Sequence, residues 1–414
     1  MAKAKKRKTK VKKAKRAVVV RKTKPKKGKR TVKKAVRKTK PTKSKAKKPV
    51  AKQAAPSKPK TYKILMMGAS YGSLLASKIL FGGHSIHLVC LPAEADLINA
   101  EGFRVRLPVR GRPGPIEIDS RKLPGKVTAG GAAGVNPADY DLVGLAMQEP
   151  QLRSPGVREL LDAVAKSRVP CMSIMNMPPL PYLKRIPGLN YDALKPAYTD
   201  PTVWDNFDPG VLTLCSPDPQ AIRPPEEKVN VLMVTLPTNF KVARFDSDKS
   251  TAILHKLEQD IDAVRFDAPE GKIELPVKLR VHDSIFVPLA KWAMLLAGNY
   301  RCVTPDGMRT AQEAVHSDIE TSRSVYNFVN GLCVQLGAAP NDLVPFEKYA
   351  AAAQSLVRPS SAARALNNGA PNIERADKLV QLIARQKGLS HPVIDATVAL
   401  VDARLDANRK KAAA

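Results

Sequence analysis

The 414-residue sequence carries a formal net charge of +33, but nearly all of the excess positive charge lies at one end. Residues 1–60 contain 29 lysines and arginines and no acidic residue, whereas residues 61–414 contain 41 basic and 37 acidic residues. These 354 residues are enough for about two domains with a substantial hydrophobic core. The composition excludes a chain that is disordered throughout, and it excludes a collagen-like repeat.

Cysteine and histidine spacings give no sign of a disulfide framework or a metal site. The five cysteines are scattered without a C-x-x-C pair, and the six histidines lack the spacing of metal ligands. No segment approaches the roughly 18 apolar residues of a membrane span, and the apolar run at 17–20 is shorter than a signal-peptide core of about 7 to 15 residues. The sequence therefore predicts a cytoplasmic protein without a bound metal or a membrane segment.

Residues 1–60 form a Lys-, Ala- and Pro-rich tail whose composition resembles the tails of linker-histone-like proteins. Such a segment buries too little apolar surface to offset its ordering entropy, so we expect it to be disordered when free. Closely spaced cations bind phosphates by counterion release, without sequence preference. We favour non-specific binding of DNA or RNA, and hence nucleoid association, over a solubilising or membrane-surface arm.

The first segment of the folded body reads as a strand, a glycine-containing turn and a helix. Residues 63–67 are apolar, residues 68–73 contain two glycines, and residues 74–81 have a helical pattern. Further apolar strands are expected at 85–90, 142–146 and 171–175. This order predicts an α/β fold with a Rossmann-like doubly wound sheet, in which the first turn and the start of its helix can receive a pyrophosphate.

The turn matches the G-x-G-x-x-G pattern only in part. Gly68 occupies the first glycine position, whereas Ser70 and Ser73 stand at the second and third. One interpretation is nucleotide binding by the whole turn, Gly68, Ala69, Ser70, Tyr71, Gly72 and Ser73; the other is a retained fold that binds nucleotide weakly. At the end of the second strand, residues 90–92 (Cys-Leu-Pro) offer neither the acidic residue typical of NAD sites nor the Arg typical of NADP sites.

Six segments in the same order resemble the ketopantoate reductase family. They are the opening at 63–107, the strand and K-x-x-Q segment at 141–151, the strand ending in Asn at 173–177, the K-x-x-x-N-x-x-x-N helix at 290–299, and the S-S-M and E-I-D segments at 358–364 and 372–374. The resemblance implies an NADPH-dependent reductase of a 2-oxo acid, with NADH not excluded. It also implies an all-helical C-terminal domain of the 6-phosphogluconate dehydrogenase type and leaves a homodimer open.

The resemblance also assigns roles to individual residues. Lys291 becomes the general acid, and the substrate-binding positions fall on Asn176, Asn299, Ser360 and Ser361. Gln151 and Asn176 join the glycine-containing turn as cofactor-binding residues. Four family positions carry other residues here: Leu91 for the cofactor-phosphate Arg, Gln148 for the K-x-x-Q lysine, Leu295 for the first helix Asn, and Asn372 for the family Glu.

Lys291 is also a candidate site residue on grounds that do not depend on the family resemblance. It is the single charge in the apolar segment 284–300, which predicts a buried helix, and a buried ammonium is costly unless it has partners or a chemical role. Burial lowers the pKa of a lysine, which suits a proton donor. The alternative is a lysine whose head reaches solvent. Asn299 would lie about two helical turns further on, as a site residue or as a helix cap.

The remaining expectations concern the middle and the C-terminal part. Residues 178–228 hold eleven prolines, so we expect an irregular insertion that either covers a cleft or packs as a surface loop. A strand is expected at 229–236, a long helix at 310–336 and a closing helix at 392–407. The predicted organisation is therefore a tail (1–60), a Rossmann-like domain (61–245) and a helical domain (246–414).

These features predict a 2-oxo acid reductase that attaches to nucleic acid through its tail. Two alternatives stay open: a catalytically degenerate body that serves as a nucleic-acid accessory, and a nucleotide sensor without turnover. The Gly68–Gly72 segment also fits the letters G-x-S-x-G of a hydrolase nucleophile, but its place at the first βα turn disfavours hydrolysis.

Overall fold

A computed structural model describes residues 60–413. The predicted tail therefore lies almost entirely outside the described residues. Sixteen strands are present in this range: β1 (Lys63–Met67), β2 (Ser85–Val89), β3 (Arg104–Leu107), β4 (Ile116–Asp119), β5 (Val127–Gly130), β6 (Leu142–Leu145), β7 (Cys171–Ile174), β8 (Leu212–Ser216), β9 (Gln220–Ile222), β10 (Val231–Leu236), β11 (Phe240–Ala243), β12 (Phe266–Ala268), β13 (Gly271–Ile273), β14 (Leu279–His282), β15 (Val303–Thr304) and β16 (Gly307–Met308).

Eleven α-helices accompany them between residues 60 and 413. They are α1 (Gly72–Phe81), α2 (Pro92–Glu101), α3 (Val157–Ser167), α4 (Asp248–Ala263), α5 (Lys291–Met294), α6 (Ala311–His316), α7 (Ile319–Gln335), α8 (Phe346–Ala353), α9 (Ser361–Asn367), α10 (Ala376–Gln386) and α11 (Pro392–Ala413). No helix among the described residues is long and apolar enough to cross a membrane.

The main sheet has eight strands in the order β14-β11-β8-β7-β6-β1-β2-β5. All neighbours are parallel except β11 and β8. In β1, Ile64 pairs with both Ile86 and Leu142, so the first strand lies in the middle of the sheet. The Rossmann-like sheet followed by a helical region confirms the predicted fold class.

Strand β1 is apolar on both faces because helices cover the sheet on both sides. Leu65 and Met67 contribute to one hydrophobic core, whereas Ile64 and Met66 contribute to the other. This alternation follows from the two-residue repeat of a strand. The C-terminal helices pack into the first of these cores, so the two regions share their apolar interior.

The middle of the chain differs from the sequence-based expectations in two respects. The expected irregular segment 178–228 contains β8, a buried central strand, and β9. This occurs because 212–216 is a proline-free, largely apolar run within the proline-rich stretch. The main sheet also extends past the expected boundary at 245, since β14 forms its edge beside β11. The strand expected at 229–236 is present as β10, in a second sheet of order β4-β3-β10-β9.

The helix expected at 310–336 is divided into α6 and α7. The first helix ends at His316, and Asp318 caps the second, because its side chain accepts a hydrogen bond from the Thr321 N–H at 3.0 Å. Thr310 and Glu313 cap α6 reciprocally. The apolar repeat continues across the break, so periodicity alone does not reveal it.

Candidate functional site

A cavity of about 690 Å³ lies at the carboxyl ends of β1, β6 and β7. Ser70 and Tyr71 follow β1, Met147 follows β6, and Asn176 follows β7, and all four line the cavity. The opposite wall comes from the helical region, including Lys291, Asn299 and Glu374. Ligands of open α/β sheets bind in this crevice, next to the point where neighbouring crossovers leave in opposite directions.

The glycines of the first turn serve close backbone packing. Gly68 has φ +108°, and a Cβ placed there would lie 2.6 Å from the carbonyl oxygen of Ala146. A Cβ on Gly72 would lie 2.8 Å from Met66. Gly68 and Gly72 therefore let β1 and α1 approach their neighbours, and neither lines the cavity.

The part of the turn that faces the cavity can still receive an anion. Ser70 and Tyr71 line the cavity, and their backbone N–H groups and that of the adjacent Gly72 make no hydrogen bond within residues 60–413. Unbonded N–H groups at a helix start are typical phosphate ligands. Ser73, one of the predicted cofactor-binding residues, is buried, and its hydroxyl donates to the carbonyl oxygen of Ala69. Ala69 is buried as well and does not line the cavity.

Lys291 reaches the cavity from the first residue of α5. Its Nζ donates a hydrogen bond to the carbonyl oxygen of Pro217 and lies 3.7 Å from Oδ1 of Asp218. The side chain is 10% exposed. Burial lowers the pKa of Lys291 below its ordinary value, while the charges of Asp218 and Glu374 oppose that shift. The residue is thus a buried amine in contact with an acidic group at the edge of the cavity.

Glu374 and Asn176 form the floor of the site. Nδ2 of Asn176 donates to Oε2 of Glu374 at 3.0 Å, and both residues line the cavity. Burial raises the pKa of Glu374, whereas the hydrogen bond from Asn176 and the charge of Lys291 oppose the rise. The other amide atom, Oδ1 of Asn176, is buried and has no partner within the described residues. An unpartnered buried acceptor at a cavity wall fits a donor group of a ligand.

Gln148 and Gln151 lie at the next wall. Oε1 of Gln151 accepts from the backbone N–H of Gln148 at 2.9 Å, so the predicted cofactor residue Gln151 also caps its own short helical segment. Between them, Glu149 is buried and accepts two hydrogen bonds from Thr199. Burial raises the pKa of Glu149 to about 7. Glu149 therefore supports the wall from behind.

The helix that carries Lys291 is irregular. After α5 the segment Leu295–Asn299 forms a π-helical turn, in place of the continuous α-helix expected from the sequence. Asn299 nevertheless lines the cavity with Lys291, and its side-chain amide makes no hydrogen bond within residues 60–413. π-Helical turns are frequent at functional sites. Leu295 and Glu374 both line a small adjoining pocket.

The two predicted serines differ in what they offer a ligand. The hydroxyl of Ser360 donates to the carbonyl oxygen of Asn299 at 2.6 Å and accepts from the Ala363 N–H at 3.2 Å, so it caps α9. Ser361 is exposed and lines the cavity. Ser360 therefore fixes the backbone of Asn299, and Ser361 is the serine that remains accessible.

Sequence reasoning missed two acidic residues of the site. The family Glu was placed on Asn372, but the carboxylate that enters the cavity beside Lys291 belongs to Glu374, two residues later in the same segment. Asp218 went unnoticed within the proline-rich stretch. Its signal was the Pro-Asp-Pro sequence at 217–219, directly after the largely apolar run 212–216.

Two arginines lie at the mouth of the cavity. Arg358 and Arg364 line it, are exposed, and form no ion pair with an acidic residue of the described chain. They border the site on the side of α9 and provide positive charge for an anionic ligand.

The comparisons with known proteins identify the fold. No protein-family model matches this sequence, and no curated protein matches it. Solved structures do match. A candidate ketopantoate reductase from Ralstonia solanacearum MolK2 shares 15% identity at a TM-score of 0.59, covering 84% of this chain and 99% of the other.

Two further structures agree with that match. A D-mandelate dehydrogenase solved with NADH and anilino(oxo)acetate shares 14% identity at a TM-score of 0.55, covering 84% of this chain and 99% of the other. The 2-dehydropantoate 2-reductase from Methylococcus capsulatus shares 12% identity at a TM-score of 0.54, covering 84% and 97%. The described chain thus has the fold of the ketopantoate reductases, and the resemblance found in the sequence is confirmed at the level of the fold.

Proposed function

We propose that this protein is a nicotinamide-dependent reductase of a 2-oxo acid, with NADPH as the hydride donor. One observation carries the proposal: the cavity places a buried amine, Lys291, opposite a helix start with free N–H groups at 70–72. A reductase needs a cofactor-phosphate site and a proton donor on the two sides of one cleft. The fold neighbours that act on 2-oxo acids support the choice of substrate class.

The residues present fit a nicotinamide nucleotide. Ser70 and the N–H groups of 70–72 would hold its phosphates, and the unpartnered Oδ1 of Asn176 would accept a hydrogen bond from its carboxamide. Gln151 would border the same end of the cavity. When bound, the cofactor supplies a hydride to the carbonyl carbon of the substrate.

Lys291 would supply the matching proton. An ammonium has three N–H donors, and Nζ uses one on Pro217 and faces Asp218 with another. The third is free to bind the carbonyl oxygen of a substrate and to protonate it as the carbon accepts the hydride. The lowered pKa of Lys291 eases this transfer, because the amine then releases its proton more readily.

Polar groups around Lys291 would hold the substrate. The free amide of Asn299 and the hydroxyl of Ser361 are accessible donors in the cavity, while the hydroxyl of Ser360 holds the backbone carbonyl of Asn299. Arg358 at the mouth adds positive charge for the carboxylate of a 2-oxo acid. Glu374 would orient Asn176 through the 3.0 Å hydrogen bond.

The direct test is a titration of the full-length protein with NADPH and with NADH, in which nicotinamide fluorescence reports binding. High salt is required, because the tail would otherwise attract either anion without specificity. Saturable binding at micromolar NADPH supports the proposal, and tighter binding of NADH would revise the cofactor. Absence of binding of both at millimolar concentration would overturn it. Ser70→Asp, which adds negative charge at the phosphate end, should abolish binding, whereas the exposed control Lys249→Ala should leave it unchanged.

A second candidate is a nucleotide sensor or a non-catalytic accessory. The observation in its favour is Leu295, an aliphatic side chain next to Glu374 where the resemblance expects an Asn. Cofactor binding without turnover on any member of a 2-oxo acid panel would support the sensor. A homodimer is a further proposal, to be tested by sedimentation.

Nucleic-acid binding by residues 1–60 also remains a proposal, since this tail lies almost entirely outside the described residues. Its support is the 29 cations without an acidic neighbour. Affinity for a random-sequence duplex should fall steeply with salt, and deletion of residues 1–60 should abolish it. Undiminished binding by the deleted protein would refute the assignment.

A further inference from the structure

A short connection crosses the site between the two sheets. We call residues 217–219 the strap: it links β8, which is buried in the main sheet, to β9, which pairs with β10 in the second sheet. Tyr71 donates a hydrogen bond from its hydroxyl to the carbonyl oxygen of Pro219 at 2.6 Å, and Lys291 donates to that of Pro217. The strap therefore spans from the first βα turn to the proposed proton donor.

Both ends and both flanks of the strap are constrained. The two prolines fix their own φ angles near −65°, and Pro219 is buried. The strands on either side are held in separate sheets. A side chain carried at the centre of this strap consequently has a defined position relative to Lys291.

That central side chain is Asp218, and it contacts two lysines. Its Oδ2 lies 3.0 Å from Nζ of Lys241, its Oδ1 lies 3.7 Å from Nζ of Lys291, and the hydroxyl of Ser216 donates to Oδ1. The side chain is 13% exposed. A buried carboxylate is costly by itself, and these cations and the hydroxyl offset that cost.

We propose that Asp218 is a positioning residue that, with the carbonyl oxygen of Pro217, holds the Lys291 ammonium against the cavity wall and leaves one N–H directed at the bound substrate. The role in reduction rests on the proposed function, whereas the hold on Lys291 does not. Asp218 lies in the proline-rich segment 178–228, outside the six segments that resemble the reductase family.

The charges around the pair fix the direction of the effect. Lys291 faces Asp218, Glu374 and Lys241, and Asp218 in turn is close to Tyr71, Cys215 and Tyr326. When the charge of Asp218 is removed, Lys291 keeps the repulsion of Lys241 and the cost of burial. Its ammonium is then less stable, and Nζ loses one of its two anchors.

The test is competitive trace labelling of the lysine amines of the full-length protein with acetic anhydride across pH, read by mass spectrometry. The midpoint of the labelling curve reports protonation of Lys291, and the plateau at high pH reports its accessibility. In Asp218→Asn the labelled fraction of Lys291 at neutral pH should rise about tenfold, because an opposite charge at this range is worth at least about one pH unit. Asp246→Asn is the matched control, because it removes an exposed carboxylate that pairs with Arg185 at 2.9 Å. In this variant the labelling curve of Lys291 should coincide with that of wild type.

Two further variants keep the inference falsifiable. Lys241→Met removes the competing cation, so the Lys291 midpoint should move in the opposite direction, and this variant serves if Asp218→Asn does not fold. Asp218→Glu should restore the wild-type midpoint in part. The inference would be overturned if the labelling curve of Lys291 coincided with the wild-type curve in the folded Asp218→Asn and Lys241→Met variants. A change in the plateau without a change in the midpoint would overturn it as well. Labelling needs neither cofactor nor substrate, so its outcome is separate from that of the proposed reduction.

Once a substrate is identified, Asp218→Asn should lower kcat and shift the pH profile of kcat, with little effect on KM.

Discussion

A buried lysine on the helix that follows the first turn leads to a prediction that needs no substrate. Lys78 of α1 is 3% exposed, and its Nζ has no hydrogen-bond partner within residues 60–413. Burial, with a smaller contribution from the nearby Lys278, lowers the pKa of Lys78 from 10.5 to about 7. Lys278 itself pairs with Asp262 at 3.1 Å and with Glu274, so its positive charge is partly compensated.

The size of the effect follows from this fall in pKa. Between pH 7 and 10.5 the unfolded chain binds the Lys78 proton and the folded chain does not, so stability contributed by this group rises with pH across that range. Below pH 7 the full penalty applies, and at about 1.4 kcal/mol per pH unit it amounts to about 5 kcal/mol as an upper value. Lys78→Met keeps the apolar stem and removes the amine, so it should stabilise the protein by about 3 to 5 kcal/mol at pH 6.

The assay is urea unfolding of the full-length protein at pH 6 and pH 9. The gain of Lys78→Met over wild type should be largest at pH 6 and should shrink at pH 9. Lys249→Met, at an exposed position of α4, is the control and should have little effect at either pH. A Lys78→Met protein that is destabilised at pH 6, or whose gain is the same at both pH values, would show that Lys78 is charged and solvated in the folded protein.

Three other predictions follow from single residues. Lys291→Met should lower kcat by a factor of about 10² to 10⁴ while cofactor affinity is kept, as measured by turnover and fluorescence titration; an unchanged kcat would remove Lys291 from the mechanism. Gly68→Ala should cost several kcal/mol in urea unfolding, because φ is +108° and the new Cβ would lie 2.6 Å from a carbonyl oxygen, whereas Gly83→Ala, with positive φ but open space, should cost only about 1 to 2 kcal/mol. Glu149→Gln should stabilise the protein increasingly as pH rises from about 4.5 to 7, since the raised pKa of Glu149 makes its ionised form costly in the folded chain; equal curves for the variant and wild type would contradict this.

The parts of the fold that sequence could predict are those encoded locally. Strand β1 and helix α1 follow from an apolar run, a glycine turn and a helical repeat within twenty residues, and the structure has them at Lys63–Met67 and Gly72–Phe81. Lys291 could be singled out because one charge in an apolar helix is visible in the sequence itself. The division of the helix at 310–336 was missed because the apolar period is continuous, and only the Asp318 cap marks the break.

The parts that sequence could not predict depend on contacts between distant residues. Asp218 reaches Lys291 across 73 positions of chain, and nothing near Asp218 except its two prolines marks it as a site residue. Glu374 was within the recognised segment, but two nearby positions, 372 and 374, could each supply the polar group. The folded structure distinguishes the two positions: Glu374 is buried against Asn176, whereas Asn372 is partly exposed at the edge of the cavity.

The energetics of the site bear on whether the body is an enzyme or a non-catalytic remnant. Lys291, Asp218 and Glu374 are ionisable groups held with little exposure to water, and each such group costs several kcal/mol before its partners compensate. Apolar residues of similar volume would stabilise the same wall at lower cost, so the fold alone gives no reason for these three. They adjoin a cavity of about 690 Å³, beside an unpartnered acceptor on Asn176 and free N–H groups at 70–72. Departures from local stability rules that converge on one cavity are typical of a functional site. Leu295, where the resemblance expects an Asn, affects one wall of this arrangement and leaves the amine, the carboxylates and the free N–H groups at 70–72 in place, which supports the proposed reductase over a body that has lost its chemistry.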